Sequence, residues 1–211
     1  MDTFTAKEGW PALRAAWAAR LGPAELAALD EAVVFAGRWH DGQTRPAGEP
    51  YLEHLLEVTR VLVEAVGVTD VDVTRAAVLH DVVEDTGCAL GEVRERFGER
   101  VAVLLDWVTK PPRRDGQSGQ EAKVAYLRRL ADAPDEAVLV KLADRLSNVQ
   151  RLGTHPRPEK RRDYYRETVR FIVPLAERHP WFRAWFGAWR AESGHLDGPA
   201  ARPTAHRTRD S

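Results

Sequence analysis

The stretch Thr74-Arg-Ala-Ala-Val-Leu-His-Asp-Val-Val-Glu-Asp85 sets a histidine and an aspartate side by side inside an apolar run with helical spacing. Val78, Leu79, Val82 and Val83 flank the pair, so the pattern carries His80 and Asp81 on a largely buried helix. A carboxylate beside an imidazole in such surroundings costs several kcal/mol unless it is paired or bound to a metal. Glu84 follows His80 by four residues and Asp85 follows Asp81 by four. An unbroken helix therefore stacks each later carboxylate one turn beyond an earlier metal-capable group. By itself a His-Asp dipeptide is a short match that arises by chance, and a solvated helix end with a hydrogen-bonded core histidine accounts for it too. The decision rests on the remainder of the chain.

Apolar residues recur at three- and four-residue spacing through most of the 211 residues, with no period-two run bounded by hairpin turns. The sequence predicts an all-α, multi-helical fold of about ten helices, over residues 10–21, 24–40, 51–66, 73–84, 90–97, 99–109, 120–131, 135–152, 158–178 and 181–191. Breakers separate them: Gly22-Pro23, the loop from Gly42 to Pro50, Gly67 with Asp70 as a candidate N-cap, Gly87, Pro111-Pro112, Pro134 and Pro156. Pro174 falls inside the pattern, which predicts a kink there or an end near Val173. Residues 193–211 contain Gly194, Gly198, Pro199 and Pro203 and almost nothing apolar, so a disordered tail is expected behind a single domain of residues 1–192.

Composition narrows the function. Lys and Arg number 31 against 32 Asp and Glu, a net charge of -1, which supplies no basic field to hold DNA, RNA or an anionic membrane. The basic set is 26 Arg to 5 Lys, so an extra arginine carries little information. Cys88 is the single cysteine, which rules out an intrachain disulfide or a multi-cysteine metal cluster and points to a reducing, cytoplasmic setting. It follows Gly87 with no His or second Cys nearby to activate it. The first 22 residues mix charge with apolar side chains, so neither a secretory leader nor a membrane span is expected.

Two further groups extend the His-Asp pair. His54 lies in the first turn of the helix that opens after Pro50. Asp144 sits in Val138-Leu-Val-Lys-Leu-Ala-Asp-Arg-Leu-Ser-Asn148, one position from a core face of Leu139, Leu142, Leu146 and Val149. Two imidazoles and two carboxylates from three helices suit a borderline divalent ion such as Mn, Fe or Zn.

Together His54, His80-Asp81 and Asp144 resemble the HD-domain metal-dependent phosphohydrolases. More narrowly, Gly42-Gln-Thr-Arg45, Gly48-Glu-Pro-Tyr-Leu-Glu-His54, Leu79 to Thr86, Val108-Thr-Lys110 and Lys141 to Asn148 resemble the alarmone hydrolase domain of RelA/SpoT homologues, in a stand-alone small form. The resemblance implies one Mn2+ held by His54, His80, Asp81 and Asp144, with Glu84 and Asp85 handling the attacking water. It implies removal of pyrophosphate from the ribose 3′ position of ppGpp or pppGpp, leaving GDP or GTP, and so a lowering of alarmone levels in the stringent response. It also sets Arg45 against the guanine base and Asn148 near the sugar. Which of Glu84 and Asp85 is the main base cannot be read from spacing.

A polyanionic substrate over four carboxylates requires cations from elsewhere, and the candidates are Arg45, Lys110 with Arg113 and Arg114, Lys123, Lys141 and Arg145. Pro46 and Ala47 follow Arg45 where family members often carry polar or basic residues, which leaves fewer donors to select guanine. Rival readings are a phosphatase of NADPH, an adenine alarmone or another nucleotide on the same site, and a non-catalytic nucleotide sensor or antitoxin. Trp181, Phe182, Trp185, Phe186 and Trp189 form an aromatic stripe, read as core or as the interface of a homo-oligomer. His40, His155, His179, His195 and His206 have no carboxylate motif beside them and are not expected to be ligands.

Overall fold

A computed structural model describes residues 1–198. Its helices are α1 (Gly9–Trp17), α2 (Pro23–Trp39), α3 (Tyr51–Arg60), α4 (Val71–Leu79), α5 (Val82–Asp85), α6 (Leu90–Phe97), α7 (Glu99–Val108), α8 (Gly119–Arg129), α9 (Asp135–Val149), α10 (Pro158–Glu167), α11 (Val173–Ala176) and α12 (Pro180–Ser193). The ten expected segments are all present, two of them in two pieces: α4 with α5, and α10 with α11. Among the described residues there is no strand, only an isolated bridge between Thr44 and Pro50.

Local chemistry sets the ends. Asp70 caps α4, accepting from the backbone N–H of Asp72 at 2.9 Å and of Val73 at 3.1 Å, an arrangement worth about 1 kcal/mol. Ser118 and Glu121 close a reciprocal capping box on α8. The end of α3 widens into a π-helical turn, Val61–Val66. Gly67 closes it at φ 80, a left-handed conformation that favours glycine.

Pro174 does not stop the helical run. The chain passes from α10 through a π-helical stretch, Thr168–Ile172, and restarts with Pro174 in the first turn of α11, where its missing N–H costs nothing. Residues 193–197, read from sequence as the start of a disordered tail, instead finish α12 and add a 3-10 turn, Gly194–Asp197. Arg166 Nε ties that turn to α10, donating to Asp197 Oδ1 at 2.6 Å. The rest of that expected tail, 199–211, lies outside the described residues.

The core is one continuous apolar cluster that includes Trp17, Leu29, Leu55, Leu79, Leu105, Phe182 and Trp189. The aromatic stripe belongs to it: Trp185, Trp189, Phe182 and Phe186 are buried, and Trp181 meets Phe4 edge to face at 6.0 Å. At its centre α3, α4 and α9 each touch the other two. α9 is buried nearly all round, so its polar residues Lys141, Asp144, Arg145 and Ser147 are held inside the protein.

Candidate metal centre and active-site cleft

The first turn of α3, the C-terminus of α4 and the middle of α9 meet at one point. His54 Nε2 lies 3.5 Å from Asp81 Oδ2 and 3.5 Å from Asp144 Oδ1. His80 Nε2 lies 3.1 Å and 3.7 Å from the same two oxygens. Ligand atoms of His54, His80 and Asp81 all fall within 4.8 Å of one another. Residue exposure is 2% for His54, 3% for His80 and 6% for Asp144, so these groups form a dry floor rather than a solvated cluster.

Each ring's other nitrogen fixes which way it presents a lone pair. His80 Nδ1 donates to the Ala77 carbonyl at 2.8 Å, since a carbonyl can only accept. Its Nε2, buried and without a hydrogen-bond partner among the described residues, is the atom aimed at the carboxylates, and the one that must give up its proton before the ring can bind a metal. His54 Nδ1 lies 2.9 Å from Ser147 Oγ, which leaves Nε2 facing the same point. Two imidazole nitrogens and two carboxylates around an otherwise costly arrangement form a donor set that fits a borderline divalent cation.

That geometry corrects the unbroken helix expected from sequence. In a continuous helix the Ala77 carbonyl would accept from the Asp81 N–H. Here the His80 ring takes that carbonyl, Asp81 turns to φ -100, ψ -6, and α5 starts afresh at Val82. The four groups do not simply stack along one helix, although the Asp85 N–H still donates to the Asp81 carbonyl at 2.8 Å. Asp81 faces the histidines, whereas Asp85 faces the open cleft.

Electrostatics separate the acidic groups. Burial alone would keep Asp144 protonated, but the Lys141 ammonium at 2.7 Å and the facing His54 and His80 rings hold its carboxyl well below the usual range. Asp81 is likewise well lowered: burial opposes this, and His80 and His54 outweigh it. Burial pushes His80 towards neutrality, yet Asp81 and Asp144 more than offset it and hold its pKa up to about 10 in the metal-free site. Asp85 is raised, by desolvation in the cleft and by Asp81 and Glu84, against a lowering hydrogen bond from Tyr51. Glu84 is clamped at both oxygens, by the Lys110 ammonium and by the Lys110 backbone N–H at 3.0 Å.

The HD-domain profile matches residues 32–182, which take in all four converging groups. The chain belongs to the HD-domain family. A Vibrio cholerae guanosine-3′,5′-bis(diphosphate) 3′-pyrophosphohydrolase is 38% identical over 157 residues, covering 73% of this chain and 22% of that protein. The Aquifex aeolicus protein of the same name is 41% identical, covering 74% and 22%. A Streptomyces coelicolor GTP pyrophosphokinase is 41% identical, covering 72% and 18%. The chain thus matches only about a fifth of the length of these curated relatives. Among solved structures, a metazoan orthologue of SpoT that hydrolyses ppGpp superposes with a TM-score of 0.72 at 30% identity, over 80% of this chain and 96% of that one. A Listeria monocytogenes EGD-e structure gives 0.52 at 25% identity, over 70% and 98%.

In this HD domain the centre lies in the wall of a cleft of about 450 Å3. Arg45, Lys110, Lys123, Lys141, Arg145 and Asn148 all line it, as expected from sequence, whereas Arg113 and Arg114 do not. The expected cations are engaged, however. Lys110 pairs with Glu84, Lys141 with Asp144, and Lys123 and Arg145 with Glu167. Arg45 donates from Nη2 to Asn148 Oδ1 at 2.7 Å, and Asn148 Nδ2 donates to Asp144 Oδ1 at 2.5 Å. Arg45 is placed by a tight loop in which its N–H donates to the Glu49 carbonyl and Gly48 turns at φ 96.

Sequence reasoning missed the outer wall. His155, Arg157, Lys160 and Tyr164 also line the cleft, brought there by the turn after α9 and by α10. Their signal was the basic density of the stretch from Arg157 to Arg162, which had no motif to connect it to the His-Asp centre. With them the lining holds seven Lys and Arg side chains against five carboxylates, so the rim carries the positive balance that a polyanion needs.

Proposed function

We propose that the chain is a metal-dependent (p)ppGpp 3′-pyrophosphohydrolase that releases pyrophosphate and leaves GDP or GTP, and so lowers alarmone levels in the stringent response. The observation that carries this reading is the convergence of two imidazole Nε2 atoms and two carboxylates at the acidic end of a cleft with basic walls. A relative named for ppGpp hydrolysis is 38% identical to this chain over 157 residues, and a solved orthologue of SpoT that hydrolyses ppGpp shares its fold. His54, His80, Asp81 and Asp144 would hold the ion, and Mn2+ suits their mixed nitrogen and oxygen set. When bound, such an ion lowers the pKa of its water and polarises a phosphoryl oxygen.

The chain's own residues divide the remaining work. Asp85, open to the cleft with a raised pKa, accepts a proton from the attacking water. The water oxygen bonds to the phosphorus carried by the ribose 3′ oxygen, the bond from that phosphorus to O3′ breaks to free pyrophosphate, and the departing O3′ takes up the proton that Asp85 received, which leaves a 3′ hydroxyl on GDP or GTP. Glu84, held by Lys110, orients the water. Lys123, Lys141, Arg145, Arg157 and Lys160 offset the phosphate charge, and Arg45 with Asn148 meets the nucleoside.

The test is a product panel from purified protein with Mn2+. ppGpp should yield GDP and pyrophosphate, and a chelator should stop the reaction. Equal or faster orthophosphate release from NADPH would transfer the site to the rival nucleotide phosphatase. Binding without turnover of any nucleotide would favour the sensor reading.

A further inference from the structure

Glu57 is a carboxylate only 4% exposed, one turn beyond His54 on α3, and the cleft chemistry gives it no part. Its Oε2 accepts from Ser147 Oγ at 2.7 Å and from Gln150 Nε2 at 3.2 Å. Its Oε1 accepts from Arg151 Nη2 at 2.7 Å, and Arg45 Nη1 stands 3.9 Å from Oε2. A buried carboxylate requires partners of this kind, and one of them, Ser147, also contacts the ring of a candidate metal ligand.

The consequence lies in a single proton. Ser147 has one hydroxyl hydrogen. Donated to Glu57, it leaves the Ser147 oxygen free only to accept, and the donor 2.9 Å away is His54 Nδ1. A competing arrangement exists on the other side of the ring: Arg45 Nη1 is 3.4 Å from the same Nδ1 and could use it only as an acceptor. That tautomer would place the ring proton on Nε2 and close it to any cation. For His80 the equivalent partner is the Ala77 main-chain carbonyl, which cannot donate. His54 is therefore the ring whose tautomer depends on side chains.

We propose that Glu57 is a positioning residue that acts through Ser147 to hold His54 with its proton on Nδ1, which keeps Nε2 open to the metal ion. The inference rests on the metal-site reading above.

Mn2+ affinity measured by titration calorimetry tests it, with thermal unfolding in chelator as the folding control. Ser147→Ala and Glu57→Gln, both close in shape to the residues they replace, should each weaken Mn2+ binding about 10–100-fold. The double variant should be little weaker than the worse single one, because both act through one chain of hydrogen bonds. Ser147→Thr, which keeps the hydroxyl, should retain most of the affinity. Single variants that bind Mn2+ as tightly as wild type, or losses that add in full, would overturn the relay while leaving the metal site intact. No Mn2+ uptake by the wild-type chain would overturn the metal-site reading itself, and the relay with it.

Discussion

The Tyr51 hydroxyl lies 2.7 Å from Oδ2 of Asp81 and 2.6 Å from Oδ2 of Asp85. One phenolic proton thus serves both a candidate metal ligand and the candidate base. Burial, followed by the charges of the two acids, raises the phenol's pKa, so it stays a donor at neutral pH. Its ring is stacked on His40 with centroids 4.6 Å apart, which fixes the hydroxyl in place. Hydrogen bonds to charged groups contribute about 1.5–3 kcal/mol. Tyr51→Phe should therefore lower kcat roughly 10–100-fold with little change in KM for ppGpp. Steady-state kinetics check this, and an unchanged kcat would show that the bridge is incidental.

Asp144 serves two partners, and removing it should cost more stability than a surface acid. Lys141 is nearly buried, and Asp144 neutralises it at 2.7 Å. Asp144→Ala leaves that ammonium without a partner, at a cost of about 3–5 kcal/mol. Adding Lys141→Met should restore much of the stability and none of the metal uptake. Chemical denaturation of the single and double variants, both in chelator, separates the two effects.

The sign of the pH dependence follows from His80. Its pKa in the metal-free protein, about 10, is raised above the ordinary 6.5. Its contribution to the metal-free fold is therefore fully present below about pH 6.5, and it fades as pH rises towards 10. Metal binding needs the neutral ring and releases that proton, so Mn2+ affinity should climb over the same window. Melting temperatures with chelator and with Mn2+ should diverge as pH is raised. A gap that narrows would contradict the assignment of His80 as a ligand.

Asp85 and Glu84 should separate chemistry from binding. Asp85→Ala should lower kcat about 10²–10⁴-fold while Mn2+ affinity stays near wild type. Glu84→Gln should have a smaller effect, since Glu84 is held by Lys110. Single-turnover rates alongside calorimetry measure both.

The helices, the four converging groups and the cleft's inner cations were legible because each rests on local spacing. Apolar residues repeat at helical intervals, and His54, His80, Asp81 and Asp144 lie in motifs that declare themselves within a few residues. The break after Leu79 was not legible, because it depends on the His80 ring capturing the Ala77 carbonyl, a rotamer that no pattern encodes. The pairing of Lys123 and Arg145 with Glu167 was hidden for a different reason: three helices supply one ion cluster. Glu57 was invisible for the same cause, since Ser147 and Arg151 stand 90 and 94 residues further along the chain. Tyr51 stood in a quoted motif, but only the fold brings Asp81 and Asp85 to its hydroxyl.

The central claim is that His54, His80, Asp81 and Asp144 share one ion. Diffraction from crystals grown with Mn2+, collected across the manganese absorption edge, addresses it directly. The prediction is a single strong anomalous peak at bonding distance, about 2 Å, from Nε2 of both histidines and from a carboxylate oxygen of each aspartate. A peak elsewhere in the protein, or none between these four side chains, would contradict it.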